Sequence, residues 1–457
     1  MYREEQLKAL LAGHRILIAG YGREGKSAER LIQRLLPDAD YTVATQVESG
    51  KWKTESGEWR QDWPFDMVIK SPGIPNFQFS ILNFQLTSLT DLFLQVYGDL
   101  TIGVTGTKGK STTASLIHHL LPGSILAGNI GIPLFDILDD LHEDSLVVAE
   151  LSCHQLENIH RGPHIAVLLN LFQEHLDHYE DYLGYKMAKM QIALRQQPGD
   201  HFFYCTDNQE LSDLTAAHVS DMRSMLHPYS LSNATADERR LIDACPLKGE
   251  HNRSNILVAC RVYTLLSQAQ APDSSPGLGE LPNSKASVTC SSPKLGEGDR
   301  RAAVVEECVH RLSIFHGLRH RIEYLGNHAG IHWYDDSIST IPEAAIAAVQ
   351  ALGRVDTLIL GGFDRGIDYS PLVDFLTEHP VPNLVFVGQA GRRINSQFSI
   401  LNSQFLVEDD YTKIVPWCAT HTPQGGVVLL SPAAASYDAF KNFEHRGDFF
   451  AELIKRL

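Results

Sequence analysis

The stretch GVTGTKGKSTT, Gly103 to Thr113, decides how this chain is read. LTIGV before it is an apolar run of strand length and ASLIHHLL after it has helical spacing, so glycines and hydroxyls fill a strand-to-helix turn. Such a turn aims free backbone N–H groups and the positive end of a helix dipole at one spot, which suits a phosphate. Gly106 and Gly109 let the chain approach, Lys110 can reach the outer phosphates, and Ser111 offers magnesium an oxygen. The general pattern Gly-x-x-x-x-Gly-Lys would need glycine where this chain has Val104, so the turn is a variant with its own glycine spacing.

The chain around this turn has 457 residues, 43% of them hydrophobic and 21% charged, as expected of a folded, soluble protein with two or three domains. The opening MYREEQLKALLAGHR is charged and no apolar run approaches a membrane span, so we expect a cytoplasmic protein with no membrane insertion. Seven scattered cysteines without a Cys-x-x-Cys pair fit reduced thiols better than disulfides or zinc. A formal net charge of −16 argues against a nucleic-acid partner but not against small anionic ligands, which need only local cations.

Residues 15 to 70 alternate strand-like and helix-like runs: HRILIAG, KSAERLIQRLL, YTVAT and FDMVIKSPG. The turn GYGREG, Gly20 to Gly25, matches Gly-x-Gly-x-x-Gly, although Ala44 and Thr45 leave no acid at the end of the second strand for a dinucleotide ribose. A second α/β block contains the strands DSLVVAELS, IAVLLNL and DHFFYCTDN and the helices KMAKMQIALRQ and SNILVACRVYTLL. A third contains the hairpin RIEYLGNHAGIHWYDDS, then EAAIAAVQAL, DTLILGGFD, NLVFVG, GGVVLLSP and a closing helix DFFAELIKRL. Between Gln268 and Arg300 the chain is Ser/Pro/Gly-rich and duplicates SSPGLGE as SSPKLGE, which reads as a flexible insertion. NFQFSILNFQ at Asn76 and NSQFSILNSQ at Asn395 are a second duplication, read as tolerated insertions in loops.

Carboxylate, imidazole and lysine positions follow the phosphate turn. Glu150 closes the strand VVAE, where an α/β sheet presents its ligands, and can hold magnesium against phosphates. His175 and Asp177, in QEHLDHYEDY, come just after the strand IAVLLNL, and without cysteines they suit magnesium better than zinc.

TGTKGKST, GNIG, AELSCHQLE, EHLDHY, YKMAKMQI, GEHNRSN, GLRHRIE, DDS and LSPAAASYDAFKNFEHRG together resemble the Mur ligase family over nearly the whole chain. The resemblance implies an α/β fold of three domains: a Rossmann-like UDP-substrate domain at 1–97, a central P-loop ATPase-type domain with a parallel sheet at 98–313, and a Rossmann-like amino-acid domain at 314–457. It implies ATP-dependent addition of D-glutamate to UDP-N-acetylmuramoyl-L-alanine through an acyl phosphate, in peptidoglycan precursor synthesis, by a monomer acting on small molecules.

By position, the resemblance puts ATP against Gly106, Thr107, Lys108, Gly109, Lys110, Ser111 and Thr112, with Asn252, Asn255, Arg321 and Asp336 placing the nucleotide. Ser111 and Glu150 would hold one magnesium and His175 would help hold a second. Lys189 would be carbamylated, turning a cation into an anionic oxygen ligand; Lys110, His175 and Lys189 form the catalytic set. Gly20, Gly22, Gly25, Thr45 and Ser71 would surround the UDP moiety and Asn129 would contact the muramoyl group. Thr340, Arg365, Ser436 and Phe443 would surround D-glutamate. The chain departs from the family at Arg365, where lysine is common, and at Ile338, where a charge near the reaction centre is lost. An L-alanine-adding relative and a catalytically silent nucleotide binder are the alternatives.

Overall fold

The computed structural model describes residues 2–46, 52–54, 57–58, 65–74, 84–130, 132–174, 178–179, 181–247, 249–269, 297–315, 317–398 and 403–457. Its strands form three six-stranded sheets. By packing, the chain divides into two compact units, 1–245 with 250–315, and 246–249 with 316–457.

In the first unit, α1 (Tyr2–Leu11), β1 (Ile16–Ala19), α2 (Arg23–Leu35), β2 (Tyr41–Gln46), β3 (Trp52–Thr54), β4 (Gly57–Glu58), β5 (Met67–Lys70) and β6 (Gln85–Thr87) build a sheet in the order β4-β3-β2-β1-β5-β6. β1, β2, β5 and β6 are parallel, and β3 and β4 extend the edge antiparallel. The residues of β1 and β5 are all buried, as strands covered on both faces must be.

A second sheet follows α3 (Leu89–Tyr97): β7 (Thr101–Thr105), α4 (Lys110–Leu120), β8 (Ile125–Gly128), β9 (Val147–Glu150), α5 (Cys153–Leu156), β10 (Ile165–Leu168), α6 (Tyr182–Leu194), β11 (His201–Cys205), α7 (Gln209–Ala217), β12 (Met225–Tyr229), α8 (Ala236–Ala244), α9 (Glu250–Ala269) and α10 (Glu297–Ser313). All its pairs are parallel, in the order β12-β11-β10-β7-β9-β8, which puts β7 and its glycine turn inside the sheet.

The second unit holds β13 (Glu323–His328), β14 (Ile331–Asp335), α11 (Pro342–Leu352), β15 (Thr357–Gly361), α12 (Ser370–Glu378), β16 (Asn383–Val387), α13 (Gly388–Gln397), β17 (Gln404–Val407), α14 (Tyr411–His421), β18 (Val427–Leu430) and α15 (Phe443–Ile454). The sheet order is β13-β14-β18-β15-β16-β17, parallel apart from the expected β13–β14 hairpin. Strand alternation divides β15 between two cores: Leu358 and Leu360 pack with residues of α11 to α13, while Ile359 packs with those of α14 and α15.

The named runs fold as read, with two adjustments. Of the insertion read between Gln268 and Arg300, residues 270–296 lie outside the described residues, but its ends are helical, Gln268 and Ala269 closing α9 and Glu297 to Arg300 opening α10. The longer duplication does more than fill loops: Gln85 and Gln404, the last residues of its two copies, open β6 and β17, each at the edge of a sheet. The six described cysteines are buried and unbridged.

Where α15 crosses the start of the third sheet, His320 Nδ1 donates to Asp335 at 2.6 Å, and a Cβ on Gly447 would overlap both the ring and the carboxylate. Gly447→Ala is therefore expected to destabilise this unit by about 1–3 kcal/mol, the usual cost of overpacking. A urea midpoint equal to that of the unsubstituted protein would contradict this.

Candidate active site

β7 ends at Thr105 and α4 begins at Lys110, so Gly106 to Gly109 make the turn. Gly106 has φ +153° and Gly109 φ +87°. Both are crowded as well: a Cβ on Gly106 would lie 2.9 Å from Leu169 Cβ, and one on Gly109 would lie 2.8 Å from Asn255 Oδ1. The segment after β10 holds the turn. Thr107 N–H donates to the Asn170 carbonyl at 3.0 Å, Lys108 N–H to Asn170 Oδ1 at 2.9 Å, and Phe172 N–H to Thr107 Oγ1 at 2.9 Å. No side chain caps α4, whose Ser111 and Thr112 stand half-buried, so its first turn can receive an anion.

Two lysines converge on this turn. Lys110 Nζ donates to the carbonyls of Gly106 (3.1 Å) and Thr107 (2.9 Å), and Lys189 Nζ donates to the same Gly106 carbonyl at 2.9 Å. Lys189 is only 2% exposed on α6, with its ammonium 5.0 Å from the centre of the Tyr185 ring. Burial above all, with the nearby Lys110 charge adding to it, pulls the Lys189 pKa down to about 8.

Glu150, also 2% exposed, closes β9 beside the turn strand β7. Asn129 N–H donates to its carbonyl at 2.8 Å and Asn129 Nδ2 to its Oε1 at 2.9 Å. Oε2 finds no hydrogen-bond partner among the described residues. A buried carboxylate oxygen in that state is costly unless a cation answers it. With the Ser111 hydroxyl, it supplies the hard oxygen donors magnesium takes, so these residues fit that ion. Asn129, expected against the sugar substrate, here holds this carboxylate. His175 and Asp177 lie outside the described residues.

Asn252 stands in the first turn of α9 and Asn255 in the second. Asn255 is buried against Gly109 and donates to Asn252 Oδ1 at 3.3 Å. The glycine turn after β7 thus gathers Gly106 to Thr112, Glu150, Lys189 and Asn255.

At the C-terminal edge of the first sheet, Gly20 (φ +91°) donates its N–H to the Ala44 carbonyl at 2.8 Å, and Ser71 Oγ donates to the Gly20 carbonyl at 3.1 Å. Gly25 lets α2 come against Gly20, while Gly22, which caps α2, faces open space. Thr45 is exposed on β2, next to Ala44. Gly20, Gly22, Gly25, Thr45 and Ser71 therefore share one edge, with room above Gly22.

In the second unit, Arg365 is exposed and donates to the Thr340 carbonyl at 2.7 Å. Ser436 is buried, Phe443 half-buried and Arg321 exposed. Asp336 is 1% exposed and both oxygens are engaged, one by Ile322 N–H (3.2 Å) and one by Ser431 Oγ (2.6 Å). Burial raises its pKa to about 6 against those bonds. Ile338 is half-buried, its N–H on the His320 carbonyl at 3.1 Å.

The residue that organises these loops is Arg446, quoted within FKNFEHRG but given no role from sequence. It is 1% exposed and donates to Ser337 Oγ and O (both 2.8 Å), Ala434 O (3.1 Å) and Ala435 O (3.3 Å). One guanidinium thus joins the DDS turn to the SPAAAS turn and to α15, which begins with Phe443. A cleft of about 410 Å³ beside it is lined by Phe363, Gly388, Asp409 and Tyr437 among others, but by none of the four expected glutamate contacts.

The Mur ligase middle domain matches residues 104–263. UDP-N-acetylmuramoylalanine–D-glutamate ligase of Lacticaseibacillus paracasei is 31% identical over 97% of this chain and 96% of its own length. UDP-N-acetylmuramoyl-L-alanine–L-glutamate ligase of a Micromonospora species is 31% identical over 97% of each. Among solved structures, the MurF ligase of Thermotoga maritima in complex with ADP has a TM-score of 0.51 at 15% identity, covering 96% of this chain and 95% of that one. The UDP-N-acetylmuramoylalanyl-D-glutamyl-2,6-diaminopimelate–D-alanyl-D-alanyl ligase of Acinetobacter baumannii has 0.53 at 14%, covering 99% and 98%. The two structures establish the fold, and the likeness to the two relatives, sustained from end to end, establishes more: the chain belongs to the Mur ligase family.

Proposed function

We propose that the chain is an ATP-dependent ligase joining D-glutamate to UDP-N-acetylmuramoyl-L-alanine through an acyl phosphate. The observation that carries this is the meeting of Lys110 and Lys189 on the Gly106 carbonyl, with the orphaned Glu150 oxygen on the neighbouring strand, in a chain similar throughout to a D-glutamate ligase. A carboxylate is a poor electrophile. Accepting the γ-phosphoryl group gives it a phosphate leaving group, which the amine of glutamate then displaces. Phosphoryl transfer needs mainly positioning and charge neutralisation, which Lys110 and the free N-terminus of α4 supply. Ser111 and Glu150 would hold one magnesium and His175 would help hold a second; bound magnesium would neutralise phosphate charge.

Lys189 is proposed as a carbamate: the neutral amine attacks carbon dioxide, a C–N bond forms and a proton leaves. Its burial favours the neutral amine this needs. Gly20, Gly22, Gly25, Thr45 and Ser71 would take the UDP moiety, with Asn129 toward the muramoyl group. Asn252, Asn255, Arg321 and Asp336 would place the nucleotide, and Thr340, Arg365, Ser436 and Phe443 the incoming glutamate. The division at 1–97, 98–313 and 314–457, a cytoplasmic location and a monomeric state belong to the same proposal; among the described residues no helix is long and apolar enough to cross a membrane.

L-glutamate is the second reading, favoured by the L-glutamate ligases of equal identity. Phosphate release from ATP with UDP-N-acetylmuramoyl-L-alanine and each of D-glutamate, L-glutamate, L-alanine and glycine separates the cases. We expect release and a ligated mass with D-glutamate. Turnover with L-glutamate alone selects the second reading, and ATP binding without turnover on any amino acid refutes both.

A further inference from the structure

Lys70 closes β5, one residue before the Ser71 that bonds Gly20. It is 1% exposed, and its ammonium donates to the Ile74 carbonyl at 2.6 Å and to Glu157 Oε2 at 3.0 Å. Glu157, 4% exposed, immediately follows α5, and its Oε1 accepts from His178 Nε2 at 2.7 Å; His178 is 10% exposed. Burial lowers the Lys70 pKa, and Glu157 opposes that. A second link runs parallel: Gln155 Nε2 donates to Glu24 Oε1 at 2.7 Å, and Glu24 belongs to the first glycine turn.

α5 is therefore gripped on one side by the first glycine turn and the SPG turn. It starts just after Glu150, with a capping box between Ser152 and Gln155 fixing its entry. Its other side packs on α6: Cys153 lies in one cluster with Tyr185 and Ala188, next to Lys189. One short helix bonds to the sugar-nucleotide turn, follows within three residues of the Glu150 that closes β9, and packs on the helix that carries the buried lysine. Two charges so deeply buried are poor stabilisers, because apolar residues of the same size would fold at least as well.

We propose that Lys70, Glu157 and His178 are positioning residues of the ligase, a buried polar bridge through which occupation of the sugar-nucleotide turn and of the phosphate turn favour one another. This rests on the proposed function. With the bridge intact, α5 holds Glu150 and α6 in register with the SPG turn, so ordering one turn lowers the cost of ordering the other. With it broken, each turn binds its ligand without regard to the other.

Calorimetry tests this with UDP-N-acetylmuramoyl-L-alanine, in the presence and absence of β,γ-imido-ATP and magnesium. In the unsubstituted protein the analogue should tighten sugar-nucleotide binding by about tenfold, a usual size for coupling between sites. Glu157→Gln and Lys70→Met should bring the ratio to within about twofold of unity, and Lys70→Arg should retain it. His178→Gln, which leaves the buried ion pair in place, supplies a milder variant should the first two fold poorly, and should reduce the ratio too. A merely structural role would lower the melting temperature and leave the ratio alone. An unchanged ratio in folded Glu157→Gln or His178→Gln overturns the proposal, as does binding without coupling in the unsubstituted protein. No sugar-nucleotide binding at all would instead refute the functional reading beneath it.

Discussion

Lys110→Ala should fold as the unsubstituted protein does and lose about 10²–10³-fold in kcat/KM for ligation, the scale seen when one preorganised charge-stabilising donor is removed. The two halves of that expectation have separate causes. In the turn the half-buried Lys110 ammonium rests on the Gly106 and Thr107 carbonyls; without it the Gly106 carbonyl keeps its bond from Lys189 Nζ, so its removal costs little stability. Under the proposed function, a triphosphate in the turn would let the same ammonium exchange those neutral acceptors for charged phosphate oxygens, and charge-assisted bonds are the stronger kind. Lys189 cannot replace it: it bonds the Gly106 carbonyl from within the protein, while Lys110 is the one nearer solvent. Melting curves that superimpose, beside a phosphate-release rate at least a hundredfold lower, are the expected pair of results. A rate within threefold of the unsubstituted protein would remove Lys110 from the catalytic set.

The turn that frames this prediction was legible because strand, glycines and helix are consecutive, and because each glycine had a local job visible in the pattern. The parallel cores were legible for a related reason, since strands such as ILIA and TLILG are apolar runs bounded by turns. Less local features stayed hidden. β12 reads MLHPY and carries Pro228, which argues against a strand until its place at the sheet edge is known. β17 reads QFLV, opens inside a duplicated copy and is largely exposed, so neither pattern nor composition marks it. Site residues follow the same division. Lys110, Glu150 and Gly20 announce themselves by what stands next to them. Arg446 does not, because its acceptors come from turns at 337 and 434–435. Lys70 and Glu157 are 87 residues apart, and only packing makes them partners. The resemblance puts Asn129 against a substrate, whereas its bond to Glu150 depends on β8 and β9 being neighbours, which no local pattern shows.

Lys189→Met is expected to move stability and activity in opposite directions. As an ammonium, Lys189 is almost wholly buried and has a carbonyl and an aromatic ring as its partners. A pKa pulled from the ordinary lysine value of 10.5 down to about 8 means that the fold disfavours the charged form by roughly 3 kcal/mol. The folded chain thus binds fewer protons than the unfolded chain between about pH 8 and 10.5, so stability rises with pH through that window; below it the penalty stands in full. Methionine has a similar length and no charge to desolvate, so the substituted protein, compared free of metal and carbon dioxide at pH 7, should be the more stable by up to about 3 kcal/mol and should lack the rise at alkaline pH. Its ligation rate should nevertheless fall at least about a hundredfold, since the proposed carbamate could not form and a magnesium that neutralises phosphate charge would lose an oxygen ligand. The unsubstituted enzyme should also gain activity when bicarbonate is returned to depleted buffer, and the methionine variant should not. A destabilised variant with full activity would make Lys189 a packing residue; a stabilised and inactive one would show a buried amine kept for chemistry at the expense of stability.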